Sequence, residues 1–241
     1  MKRRICPIAA AVLLCVSVCL SAAEPWKSKD YEKWSSKEVE QILNNSPWAK
    51  LISAPRSPYL NGDAPETDAS IRIGGSQNSG NGPLPQDETG KTQNAFILRW
   101  NSSLTIRRAL YRQAILKGSD ADAATQAYLQ DLPDDLELVM INAAESLLPP
   151  SDTPRLVEQT YLEFEPSKVR VSPTTARVSE IVDARGHRGY VFWFPKQRTD
   201  GKPIIPDETT SVVFHMNIGP VILVTAFKPA EMIGAEGPDV L

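Results

Sequence analysis

The stretch Ser211-Val212-Val213-Phe214-His215-Met216-Asn217-Ile218-Gly219-Pro220-Val221-Ile222-Leu223-Val224-Thr225-Ala226-Phe227 decides how the fold is read. Two β-branched, apolar runs flank Gly219-Pro220, which predicts two strands joined in a hairpin. Alternation in the first run puts Phe214 and Met216 on one face, and Val213, His215 and Asn217 on the other. The second run is almost wholly apolar, which predicts a strand lying centrally in its sheet. Just upstream, residues 176–184 and 189–194 flank Arg185-Gly186-His187-Arg188 and predict a second hairpin.

Moving toward the N-terminus, strand signals give way to helical ones. Asp152-Thr153-Pro154 opens a helix with Pro in its first turn. Residues 136–141 read as a strand and 120–130 as a helix closed before Pro133. Asn101-Ser102-Ser103 is a cluster of capping residues, followed by Ile106, Leu110 and Ala114 on one helical face and a stop at Gly118. In residues 94–100, Phe96, Leu98 and Trp100 alternate as in a strand. Helices first and strands later predict an α+β fold, two or three helices followed by a mainly antiparallel sheet over 95–234. Residues 235–241 read as a flexible tail.

Residues 53–94 have the composition of a disordered linker, since 20 of the 42 are Gly, Pro, Ser or Asn. Residues 24–52 form a Trp-rich helical motif. Ser35-Ser36-Lys37-Glu38 is a capping box, and Val39, Ile42 and Leu43 make a narrow apolar stripe. Trp34 stands where it can staple onto Val39, and Asn44-Asn45-Ser46-Pro47 ends the helix. A helix this short needs something to dock on.

Residues 1–23 read as a secretory signal peptide. Lys2, Arg3 and Arg4 precede a charge-free run of 16 residues (5–20), and Ser21-Ala22-Ala23 fits cleavage before Glu24. The 241-residue chain carries a net charge of −3. Removing the leader leaves 23 basic against 29 acidic residues, a net charge of −6. It also removes all three cysteines, Cys6, Cys15 and Cys19, leaving no thiol for a disulfide, a nucleophile or a metal. The mature chain is expected to be soluble and exported, periplasmic or secreted, with no transmembrane segment. Its acidity argues against nucleic acid as a partner.

The chemical motifs fail on context. Gly90-Lys91-Thr92 lacks the upstream glycine of a P-loop, where Pro85 stands, and no buried strand precedes it. Asp120-Ala121-Asp122 opens like a calcium loop, but Ala124 and Thr125 break the pattern. The mature chain has only His187 and His215, with no Gly-x-Ser-x-Gly elbow and no zinc-ligand spacing. Asn101-Ser102-Ser103 also fits a glycosylation acceptor and is read as a cap. No cofactor, metal site or catalytic residue is assigned.

Charge and tryptophan are less ordinary. Residues 89–119 carry Lys91, Arg99, Arg107, Arg108, Arg112 and Lys117 with no acid, while 118–154 carry eight acids with no base. One reading is a basic helix face, Arg107, Arg108 and Arg112, that meets an anionic partner. The other is two neighbouring solvated elements that screen each other. Trp26, Trp34 and Trp48 likewise stand open to two readings, a recognition patch or groups that dock the short helix on its own domain. Trp100 and Trp193 read as core.

Several short blocks taken together resemble a family of small secreted proteins of acidobacterial genomes. They are Trp34 with Ile42-Leu43, then Ser46-Pro47-Trp48-Ala49-Lys50, the Gly-rich linker, and Arg99-Trp100-x-Ser102. Phe194-Pro195, and Phe227 followed by Glu231-Met232, add to the likeness. The resemblance implies an exported bacterial protein of unassigned activity and supplies no site residue. The resulting expectation is a non-catalytic binding or interaction module of the cell envelope, with an envelope protein or anionic envelope polymer as partner. The binding residues would be Trp26, Trp34, Trp48, Arg107, Arg108 and Arg112. The rival is an envelope hydrolase using carboxylates or His215.

Overall fold

The computed structural model describes residues 24–54, 72–73, 94–119, 129, 133–142, 153–179, 189–218 and 221–240. The expected signal peptide, most of the expected linker, the expected hairpin tip with His187, Asp120, Asp122 and nearly all of the helix expected over 120–130 lie outside them. The fold is α+β, with mostly antiparallel strands.

The N-terminal motif opens with α1 (Pro25–Ser28) and η1 (Tyr31–Lys33), then α2 (Ser36–Asn44). Both halves of the expected capping box are present. Glu38 N donates to Ser35 Oγ, and Ser35 N donates back to Glu38 Oε2 at 2.7 Å. The stripe of Val39, Ile42 and Leu43 is buried against α3 (Leu104–Leu116) and against β1 (Ala49–Ala54) and β3 (Asn94–Trp100). Ser103 caps α3 through its hydroxyl, and Gly118 follows its last turn with φ +87°, a conformation that favours glycine.

Two five-stranded sheets follow, not one. The first has the order β1-β3-β4-β8-β7, with β4 (Asp135–Asn142), β7 (Thr175–Ser179) and β8 (Gly189–Pro195). The second has the order β2-β10-β9-β5-β6, with β2 (Arg72–Ile73), β5 (Thr160–Glu165), β6 (Val169–Val171), β9 (Ser211–Ile218) and β10 (Val221–Phe227). Both hairpins read from sequence form, with Thr225 opposite Phe214 and Ala176 opposite Phe192. β10 lies inside its sheet as expected, between β9, the middle strand, and β2, which pairs with it in parallel.

The inner faces meet along aromatic seams. Phe192 of β8 packs edge-on to Phe214 of β9 at 5.6 Å, and Trp100 of β3 to Phe227 of β10 at 5.2 Å. Each such side chain contributes roughly 1.5–3 kcal/mol by leaving water. A short helix, α4 (Thr153–Glu158), packs on β5 and β7 through the buried Leu156.

This architecture corrects the expected domain division. Residues 24–52 are not a tethered motif, because β1 adds to β3 in register, with Lys50 opposite Leu98, and α2 packs on α3. Within the expected linker, 72–73 form β2 and so belong to the second sheet. The expected flexible tail holds β12 (Gly237–Pro238), which pairs with β11 (Ile233–Gly234) after η2 (Pro229–Glu231). The tail bonds through Asp239 and Val240 to the rest of the chain.

Candidate functional site

The residues expected to bind a partner are held in the chain's own interior. Trp26, Trp34 and Trp48 are 4%, 2% and 0% exposed, and Trp26 packs edge-on to Trp48 at 5.9 Å. Trp34 Nε1 donates to Lys29 O at 3.1 Å, and Trp48 Nε1 to Asp239 O at 2.7 Å. As a recognition patch they are corrected: a ligand in solution cannot reach a side chain that the core already covers.

The basic face of α3 is likewise engaged. Arg107 is buried at 1% exposure. Burial and the nearby Arg107 push the Lys196 ammonium below its usual range. Arg108 pairs with Glu236 and lies 5.3 Å over the Tyr31 ring. Arg112 Nε donates to Trp34 O at 2.9 Å. With Arg107 buried, the Arg108 side chain 23% exposed and Arg112 tied to a backbone carbonyl, α3 presents little cationic surface to an anionic partner.

What stays open is the outer face of the second sheet. Alternation in β5 turns Leu162 and Phe164 inward and Tyr161, Glu163 and Glu165 outward. His215 of β9 lies opposite Tyr161, and the two rings stack at 4.5 Å with planes 11° apart. Arg170 of the edge strand β6 places its guanidinium 4.6 Å from the Tyr161 centroid. Its Nε donates to Glu163 Oε2 at 2.7 Å. Lys168, held at φ +59° in the β5–β6 turn, reaches Glu163 at 3.5 Å and pairs with Glu165.

The result is a ladder of imidazole, phenol and guanidinium across three adjacent strands, flanked by interleaved charges. Its depths differ. The Lys168 and Arg170 side chains are each 61% exposed, whereas that of Glu163 is 11% exposed. The hydrogen bond from Arg170 outweighs desolvation and holds the Glu163 carboxyl below the usual range. The same bond holds the Arg170 charge more firmly. The face therefore shows cations to solvent with their acids beneath.

The sequence reading of this region passed over Tyr161, Glu163, Glu165, Lys168 and Arg170. The signal was there: Leu162-Glu163-Phe164-Glu165 alternates apolar and acidic after the helix start at Thr153. Of the rival hydrolase residues, His215 lies flat on Tyr161 within a strand. No group of three His, Cys, Asp or Glu among the described residues could hold a metal ion.

A second aromatic–cation group lies on the outer face of the first sheet. Trp193, expected as core, is only half-buried there. Its Nε1 donates to Glu137 Oε2 at 3.1 Å, and Arg177 lies 4.9 Å from its ring. Asn101 Nδ2 donates to Glu137 Oε1 at 3.0 Å, which ties this group to the turn before α3.

Among the described residues, fold and site define a two-sheet α+β protein with an aromatic interior and, on the outer face of each sheet, an aromatic ring set beside paired charges. No protein-family model matches the chain, and neither a curated protein nor a solved structure matches it. No helix among the described residues is long and apolar enough to cross a membrane.

Proposed function

We propose that the chain is an exported, non-catalytic binding module of the cell envelope. Its partner would be the acidic surface of an envelope protein, met on the outer face of the second sheet. The observation that carries this reading is the Arg170–Tyr161–His215 ladder with Lys168 beside it in the β5–β6 turn, where the Arg170 and Lys168 side chains are each 61% exposed. Rigid aromatic and guanidinium groups lose little entropy on contact, and surface cations steer acidic partners. Export rests on the charged start, apolar run and Ser21-Ala22-Ala23 of the leader.

The test is a crosslinking pull-down of the tagged mature protein from its host's envelope fraction, read by mass spectrometry. One dominant protein should be captured by the wild type at low salt, less at high salt, and not by Tyr161→Ala/Arg170→Ala. Capture that the double variant retains, or enrichment of an anionic polymer in place of a protein, overturns the reading. Turnover of envelope substrates that is lost in His215→Ala would establish the hydrolase instead.

A further inference from the structure

The C-terminal segment makes an unusual set of contacts. Met232, fully buried, anchors its start. Beyond it, β11 and β12 pair only with each other, and Asp239 N returns to Met232 O at 2.9 Å. The two oxygens of the Asp239 carboxylate accept from successive amides of α3, Leu104 N at 2.7 Å and Thr105 N at 2.8 Å. The next two carbonyls accept from indoles, Asp239 O from Trp48 at 2.7 Å and Val240 O from Trp100 at 2.8 Å. Four N–H donors from the N-terminal motif, β3 and α3 thus converge on two residues of an extended acidic strand. The approach is close, since a Cβ added to Gly234 would lie 2.9 Å from Thr105 Oγ1.

These contacts are mostly polar, the apolar exception being Val240, which packs partly buried against the core. Residues 233–240 include no buried side chain, and Ile233 is 38% exposed. Segments held by polar contacts with little apolar burial open well below the free energy of global unfolding. α3 also has a cap of its own, because Ser103 Oγ accepts from Ile106 N at 3.1 Å.

The geometry points to a latch. Residues 233–240 open as a unit while the two-sheet core stays folded. The surface they uncover, the first turn of α3 with the indole edges of Trp48 and Trp100, holds an extended acidic peptide strand in the same way. Trp48 and Trp100 thus hold the chain's own C-terminal segment through their indole N–H groups.

Amide hydrogen exchange on the mature chain and its Asp239→Ala variant tests this, with a synthetic peptide of residues 231–241 added in trans. In the variant, exchange at Leu104 and Thr105 should speed up about tenfold, with β4 and β8 as protected as in the wild type. The peptide should restore protection at those two amides, and the same peptide carrying Asp239→Ala should not. Unchanged exchange at Leu104 and Thr105 overturns the latch. So does loss of protection throughout β4 and β8, since the segment is then one cooperative unit with the core. Equal rescue by both peptides overturns recognition through the carboxylate. In the wild type, mild urea should release Leu104 and Thr105 before β4, and simultaneous release would count against the latch independently.

Discussion

The protein places aromatic rings beside cations in two regions, to opposite effect. In the N-terminal motif, Arg112 binds Trp34 O and Arg108 lies over Tyr31, while the Trp34 and Trp48 indoles donate to backbone carbonyls of the same chain. On the second sheet, Arg170 and His215 sandwich Tyr161 on an outer face, and the cations extend beyond their acids into solvent. The residue types are similar, but the use made of their donors is not. In the first region the rings and guanidiniums close a core against chain-distant segments. In the second they decorate a strand surface whose fold is already secured by Leu162, Phe164, Val212 and Phe214 on the inner side. Aromatic richness alone does not mark a binding face; both groups pair their cations within the chain, and what separates them is exposure, 61% for the Arg170 and Lys168 side chains against 23% for that of Arg108.

The largest expected break in this comparison is at Trp48. Trp48→Ala removes a fully buried ring, its edge-on contact with Trp26 and the indole donor to Asp239 O. Such truncations cost about 3–5 kcal/mol. Urea denaturation should show the midpoint of the whole cooperative transition fall. A midpoint equal to wild type would return Trp48 to the list of surface groups and undo the contrast.

An intermediate effect belongs to the capping box. Ser35→Ala should cost about 1 kcal/mol, read in the same melt. Partial burial pushes the Glu38 carboxyl up, but hydrogen bonds from Lys29 and from Ser35 outweigh it and hold it at about 2. A carboxyl lowered from 4.5 stabilises the folded chain fully above its unfolded value and loses that contribution as pH falls through about 2. The advantage of wild type over Glu38→Gln should therefore be greatest near neutral pH and shrink steadily below pH 4.5. A stability difference that does not change with pH would show that the Lys29–Glu38 pair does not hold in solution.

Local chemistry made part of this legible. The Ser35–Glu38 box, the stop at Asn45, the Ser103 cap and both β-hairpins lie where turn and cap residues put them, because each is decided by a few neighbours in sequence. β1 was not legible. Its six residues carry no sharp alternation, and its partner strand lies across the whole Gly/Pro-rich stretch. The role of 235–241 was hidden for the same reason, since Asp239 meets Leu104 and Trp48 only after the chain has closed on itself. The ladder is an intermediate case. Strand alternation marks Tyr161, Glu163 and Glu165 as outward-facing, but only the pairing of β5 with β9 and β6 brings His215 and Arg170 to the same ring.

The smallest expected effect on stability is the most informative about function. Arg170 makes one ion pair and one ring contact, and it does so from the exposed edge strand. Exposed pairs contribute little, because water screens the attraction and ordering the side chain opposes it. Arg170→Ala should therefore melt only slightly below the wild type at neutral pH, by the coupling it loses to Glu163, whose carboxyl then titrates closer to an ordinary glutamate. NMR titration of the Glu163 carboxyl reads that shift directly, and the melt is its control. A variant whose melt falls only slightly, whose Glu163 titration moves toward normal and which loses capture would assign the ladder to recognition. If the melt instead falls as far as it does for Trp48→Ala, the ladder is part of what holds the sheet together, and the two aromatic–cation groups differ only in exposure.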